Sequence, residues 1–167
     1  MLRWILWIVA GLVGLVGLAA IVGLLLPKAH RASRTVTVPA SPEKVFAIVT
    51  DFGRYASWRS DVRRVTVEGS GGTGTVMREE HTSGTIPYRV EVFDPPSHLV
   101  MRIADPSLPF GGTWTYDLSP SPGGTTLTLT EDGEVYNPFF RVMQKFFFSP
   151  YKTIDTFLAN LARTITS

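Results

Sequence analysis

The sequence predicts an α+β protein: a curved antiparallel sheet wrapped around a long C-terminal helix, with two short helices after the first strand and one transmembrane helix in front. Three observations carry that prediction. Trp4 to Leu26 is a run of 23 residues without a charge. Strand-like runs then follow one another from Val62 to residue 131 with mostly hairpin-sized connections, which makes the sheet antiparallel. Finally Phe140, Met143, Phe147, Tyr151, Ile154, Leu158, Leu161 and Ile165 recur at spacings of three and four, the stripe of a helix with one buried face.

Composition supports this division. Of 167 residues, 44% are hydrophobic and 18% charged, below the roughly 25% charge of an average soluble domain. Some apolar material therefore lies outside a water-facing domain. The length suits one domain with a real core. Cysteine is absent, which excludes a disulfide scaffold, thiolate metal sites and a Cys nucleophile. The net charge of +2 is misleading, because Arg3, Lys28, Arg31 and Arg34 precede every acid. Residues 35–167 hold twelve basic against fourteen acidic residues and no run of Lys or Arg, so nucleic acid is not an expected partner.

As a helix, the uncharged run spans roughly 34 Å and crosses a hydrocarbon core of about 30 Å. A cleaved signal peptide has a shorter apolar core and a small-x-small cleavage site, and Lys28-Ala29-His30-Arg31-Ala32 supplies a poor one. Trp4 and Trp7 sit where an interfacial aromatic belt belongs, and Pro27 followed by Lys28, Arg31 and Arg34 ends the span. Residues 1–33 thus read as a membrane anchor with a basic flank, and residues 34–167 as the folded domain. A single-pass protein is expected, and one extra positive charge on the domain side favours a cytoplasmic domain. Ala10, Gly14, Ala19 and Gly23 form small-xxx-small pairs spaced to seat a partner helix in the membrane, although glycine is common in such spans anyway.

Thr35 to Val38 alternates as a first strand. Ser41-Pro42-Glu43 combines an N-cap, a proline at the first helical position and an acid in the first turn, opening a short helix with Val45, Phe46, Ile48 and Val49 as its apolar stripe. Asp51 is placed to cap a second short helix through Tyr55 to Trp58. Strands are expected from Val62 to Val67 and over 73–82, 85–93, 98–104, 113–118 and 125–131. Asn137-Pro138 opens the terminal helix, and Pro150 inside it predicts a kink or break near Phe147.

This order resembles the START-like or Bet v 1-like superfamily (SRPBCC) with its helix-grip fold, in particular the polyketide cyclase/dehydrase-like branch. The resemblance rests on Ser41-Pro42-Glu43-Lys44-Val45-Phe46 running into Asp51-Phe52-Gly53-Arg54-Tyr55-Ala56-Ser57-Trp58. It also rests on Gly111-Gly112-Thr113-Trp114-Thr115-Tyr116-Asp117-Leu118 followed by Gly124-Thr125-Thr126-Leu127. It implies that a lipid, sterol, polyketide or other apolar molecule is bound between sheet and helix, and that only some members are enzymes. The apolar prefix departs from the minimal pattern and suggests that the ligand is met at a bilayer.

The hairpin at Ser83-Gly84 permits a sharper reading. A two-residue loop there pairs Thr82 with Thr85, His81 with Ile86, Glu79 with Tyr88 and Met77 with Val90. Opposed residues share a face, and Ile86, Tyr88, Val90 and Val92 form the apolar set that belongs on the concave side. Glu79, His81 and Tyr88 then point into the cavity, where they can orient a polar head group or act as acid and base. Val90 beside them, Met101, Trp114 and Tyr116 from later strands, and Phe147, Tyr151 and Ile154 from the terminal helix complete the expected ligand-binding set. The loop from Asp105 to Phe110, with Phe139, Phe140 and Phe146 to Phe148, is expected to form an exposed greasy mouth.

Other chemistry is disfavoured. Gly69-Ser70-Gly71-Gly72-Thr73-Gly74 matches a dinucleotide fingerprint but runs into a strand instead of a helix. His30, His81 and His98 lack metal-ligand spacing, and no G-x-S-x-G elbow occurs. No metal or cofactor is expected. The leading reading is binding of a hydrophobic small molecule or lipid, for transfer or sensing. Two alternatives remain open: a cyclase, dehydratase or isomerase using Glu79, His81 or Tyr88, and a partner-binding module whose cavity has collapsed.

Overall fold

The structure is a computed structural model that describes residues 2–166. Helix α1 (Leu2–Leu25) is followed by strand β1 (Ala29–Val38), helix α2 (Pro42–Thr50), a single 3-10 turn (Phe52–Arg54) and the short helix α3 (Tyr55–Trp58). Strands β2 (Arg64–Glu68), β3 (Val76–His81), β4 (Gly84–Asp94), β5 (His98–Ile103), β6 (Phe110–Ser121) and β7 (Gly124–Val135) come next, and α4 (Pro138–Phe147) and α5 (Lys152–Thr166) close the chain. The seven strands form one antiparallel sheet in the order β1-β7-β6-β5-β4-β3-β2. This is the helix-grip α+β architecture.

Local chemistry accounts for the elements. Ser41 accepts a hydrogen bond from the Lys44 amide, with Pro42 at the first helical position of α2. Asp51 differs from expectation: its side chain makes no cap bond, and its backbone amide instead donates to Ala47 as the C-cap of α2. The first strand begins at Ala29, not Thr35, because its partner β7 is long enough to pair Ala29 with Glu134.

The expected helix break is present. The last amide of the turn at Phe148 donates to Gln144, then residues 148–151 leave the helix, and α5 starts at Lys152. The two halves of the expected stripe consequently part company. Ile154, Phe157, Leu158, Leu161 and Ile165 of α5 are buried in the grip of the sheet, against Tyr55, Tyr116 and Leu129 among others. Helix α4 lies outside that core and packs on the C-terminal end of α1 instead.

Helix α1 has the length and composition of a membrane span, and its apolar side chains from Trp4 to Leu18 stand exposed. At its other end the small residue Gly23 is buried, and a Cβ there would overlap the Pro138 carbonyl. The Arg141 guanidinium donates to the Gly23 carbonyl at 3.2 Å and the Leu26 carbonyl at 3.5 Å, capping α1 from α4. Gly23, expected on a face open to a partner helix, is thus occupied by the chain's own α4; Ala10 and Gly14 remain exposed.

Strand direction fixes which end of the sheet faces α1. The start of β1 and the end of β7 lie there, and antiparallel pairing brings the start of β6, the end of β5 and the β3–β4 turn to the same end. The connection from Glu68 to Val76 lies at the opposite end.

Candidate functional site

Glu79 sits in the middle of β3, opposite Val65 on one side and Ile86 on the other. The hairpin loop is Thr82-Ser83, not Ser83-Gly84, so Met77 opposes Tyr88, Glu79 opposes Ile86 and His81 opposes Gly84. Gly84 takes φ +141°, which a residue with a Cβ rarely adopts, and this places the turn one residue earlier than expected. The slip moves each pairing by two residues, and a shift of two preserves the face. Glu79 and Tyr88 therefore still point to the buried side. Val92 does not: a bulge between Val90 and Val92 turns it outward, and Phe93 packs edge-on against Phe46 at 5.3 Å in its place.

Around Glu79 the chain closes a ring of polar contacts. One Glu79 oxygen accepts from Arg59 Nη1 at 2.6 Å, and the other meets His81 Nε2 at 3.1 Å. Arg59 Nη2 donates to Asp61 Oδ2 at 2.6 Å, and the backbone carbonyl of Asp61 lies 2.9 Å from His81 Nδ1. Arg59 also lies over the rings of Tyr55 and Phe157, at 5.1 and 5.3 Å from their centroids. Glu79 is 1% exposed and Arg59 7%, so each supplies the counter-charge that the other needs away from water.

The electrostatics follow from the ring. Both nitrogens of His81 face acceptors that carry no proton to give, so the doubly protonated imidazolium satisfies both and a neutral ring only one. The hydrogen bond to Glu79 accordingly raises the His81 pKa, against the opposing effect of burial. Burial alone would lift Asp61, but the hydrogen bond and charge of Arg59 outweigh it and hold Asp61 below its usual range. Burial pushes the Tyr88 and Tyr116 phenols up, with the charge of Glu79 adding to it, so both remain neutral donors.

This ring lines one wall of a cavity of about 270 Å³ bounded also by Tyr88, Met101, Trp114, Tyr116 and Phe157. Among the described residues the Tyr88 and Tyr116 hydroxyls have no hydrogen-bond partner. A second, larger chamber of about 470 Å³ shares Ile86, Tyr88, Trp114, Lys152 and Thr153 with the first and also meets His30, Glu131, Glu134 and Gln144. It continues past Ile103, Phe110, Val135, Phe140 and Met143 toward the 148–151 break. The linings reach the end of the sheet that faces α1, through Ser83 of the β3–β4 turn in the first chamber and Phe110 and Val135 in the second.

Of the residues expected to contact a ligand, Glu79, His81, Tyr88, Met101, Trp114 and Tyr116 are brought together around the cavity. Val90 and Ile154 are packed core residues that line neither chamber. Tyr151 is half-buried with the Arg34 guanidinium 3.7 Å from its ring centroid. Phe147 is 70% exposed and lines neither chamber, because the helix break separates it from α5. Leu108 and Phe110 of the 105–110 loop are half-buried rather than exposed, Phe110 forming part of the chamber wall. Arg59 and Asp61 were not foreseen. The signal was indirect: a carboxylate on the inner face of a buried strand requires a cation, and Arg59 and Asp61 immediately follow α3.

Comparison with solved structures places this arrangement among known folds. Ara h 8.0201 superposes with a TM-score of 0.64 at 18% identity, covering 83% of this chain and 99% of its own. A START superfamily protein from Mycobacterium smegmatis gives 0.63 at 19% identity, covering 82% of this chain and 97% of its own. Norcoclaurine synthase from Thalictrum flavum, in complex with dopamine and hydroxybenzaldehyde, gives 0.66 at 10% identity, with 83% and 87% covered. At these identities the likeness is one of fold. No curated protein sequence matches the chain. Residues 29–166 match the family described as polyketide cyclase/dehydrase and lipid transport, which spans the whole helix-grip domain, and the chain belongs to that family.

Proposed function

We propose that the protein is a membrane-anchored receptor for an amphiphilic hydrophobic small molecule or lipid, held between the sheet and α5. The observation that carries this reading is the cavity's gradient. A charged, hydrogen-bonding wall at Arg59, Glu79 and His81 passes by neutral phenols at Tyr88 and Tyr116 into a larger chamber with an apolar run at Ile103, Phe110, Val135, Phe140 and Met143, and with His30, Glu131, Glu134 and Gln144 also in its lining. A ligand with a polar head and an apolar body fits that sequence of environments, head against the phenols and body along Ile103, Phe110 and Met143. Lys152 stands exposed at the junction of the two chambers as a cation for an acidic head group. The combined space is of the size that small-molecule sites occupy, about 300–1,000 Å³.

Family membership supports the ligand class, and the apolar α1 supports a bilayer as its source. A cytoplasmic domain is supported by one extra positive charge on the domain side of the span, where Lys28, Arg31 and Arg34 lie. The ring at Glu79 favours binding over catalysis, because His81 spends both nitrogens on the protein itself.

The test is native mass spectrometry of the full chain released from nanodiscs, before and after incubation with fatty acids, phospholipids, sterols and aromatic polyketides. A one-to-one adduct that weakens in Tyr88→Phe and Tyr116→Phe is the expected result. A clean apo mass with no uptake from the panel would overturn the reading in favour of a partner-binding module. Chemical conversion of a panel member would make the protein an enzyme.

A further inference from the structure

Helix α4 is built inside out for a helix in water. At 100° per residue, Phe139, Phe140, Val142, Met143, Phe146 and Phe147 fall on one face and Arg141, Gln144 and Lys145 on the other. A surface helix of a soluble protein turns its apolar face inward. Here the buried residue is Arg141, 5% exposed, whereas Phe139, Phe140, Phe146 and Phe147 are 50%, 48%, 64% and 70% exposed. Phe148, just past the helix, is 60% exposed. On the polar face Arg141 and Gln144 are engaged by the chain, and Lys145 is exposed. Arg141 donates to the carbonyls of Val135 and Tyr136 at 2.8 Å as well as to Gly23 and Leu26, and Gln144 hydrogen-bonds the His30 ring at 3.2 Å.

We infer that α4 is an interfacial helix, lying in the surface of the bilayer beside the end of α1, and that the larger chamber opens sideways into the lipid. This rests on α1 being a membrane span, and three observations identify lipid as the occupant of the phenylalanine face. The phenylalanine face is exposed as the apolar side chains of α1 are, and α4 is bolted to α1 through Pro138 against Gly23 and through Arg141. The junction coincides with the end of the uncharged run, where a spanning helix leaves the hydrocarbon, and the exposed Lys28 and Lys145 there suit phosphate head groups. The same helix forms the chamber wall: Phe140, Met143 and Gln144 from α4, with Phe148 and Pro150 just beyond, line it. A molecule dissolved in the leaflet thus reaches Trp114 and Tyr88 without crossing water.

The chain's lack of cysteine permits single-cysteine variants of the full protein carrying an environment-sensitive fluorophore. Phe147→Cys probes α4, Val13→Cys probes the span, and Ser70→Cys, exposed at the far end of the sheet, gives the aqueous reference. Each is placed in phosphatidylcholine vesicles bearing nitroxides at a shallow or a deep acyl position. The expected result is a blue-shifted Phe147 probe quenched more by shallow than by deep nitroxide, a Val13 probe quenched more by deep nitroxide, and an unquenched Ser70 probe. Quenching at Val13 with a water-like Phe147 probe overturns the interfacial assignment and leaves the anchor standing. A blue-shifted but unquenched Phe147 probe overturns it equally and assigns the face to protein. No quenching at Val13 removes the anchor, and the inference with it.

Discussion

Replacing Arg59 with Met should cost the domain about 3–5 kcal/mol, because it leaves a carboxylate in the core without its cation. Glu79 is 1% exposed and its 2.6 Å bond to Arg59 Nη1 is the shorter of its two side-chain partners. His81 remains on the other oxygen and is itself partly exposed, so it compensates only in part. Asp61 also loses Arg59, but water reaches it. The companion double variant, Arg59→Met with Glu79→Met, removes both charges and keeps the volume, and replacement of a buried pair by apolar groups is often close to neutral. Most of the loss should therefore be recovered. For a chain of this size about 2–4 °C of melting temperature accompanies each kcal/mol, so the single variant should fall on the order of 10 °C below the double. The assay is thermal unfolding of the full chain in phosphatidylcholine nanodiscs, followed by near-ultraviolet circular dichroism. A loss below about 1 kcal/mol for Arg59→Met, or a double variant as unstable as the two singles combined, would show that charge pairing does not hold Glu79 in place.

Three further outcomes follow from the same geometry. His81, raised above its usual 6.5 by Glu79, contributes stability in full below that value and loses it as pH rises through the raised pKa. Asp61, lowered from 3.8, contributes above that value and loses it as pH falls through the lowered pKa. Histidine NMR titration and pH-dependent melting should show His81→Gln flattening the alkaline limb alone, and an unchanged limb counts against the ring. Gly23→Leu should drive α1 away from Pro138, lengthening the spin-label distance between Val16→Cys and Lys145→Cys, whereas an unaltered distance would mean that the close approach is not what sets the packing. Tyr55→Phe deletes a buried bond of 2.5 Å to the Val49 carbonyl and should cost about 1–3 kcal/mol in denaturant, with a neutral result showing that the carbonyl finds another donor.

Much of the fold was legible in single residues. Pro42 and Asn137-Pro138 announce helix starts, Pro150 announces the break, and period-2 alternation announces the strands. The inward face of Glu79 was also legible, since a hairpin slip of two residues leaves every side chain on its side. What was hidden is long-range. Arg59 and Glu79 are twenty residues apart, and only their shared burial makes them partners. Phe147 and Ile154 continue one stripe at helical spacing, yet the break at Phe148 sends one to the surface and the other into the core. Arg141 looks like an ordinary surface cation within its helix, and its role appears only once Gly23 and Leu26 stand beside it.

The short join between α1 and β1 sets how far the domain can travel. Only residues 26–28 separate the helix from the strand, and three residues fully extended reach about 10 Å. Even that slack is taken up, because the Lys28 carbonyl accepts from the Val135 amide and Arg141 holds the Leu26 carbonyl. On the proposed anchoring of α1 in a bilayer, the domain has no tether on which to swing toward a second membrane. On that reading the proposed ligand is handed on by a partner that comes to the domain, or returned to the leaflet from which it came.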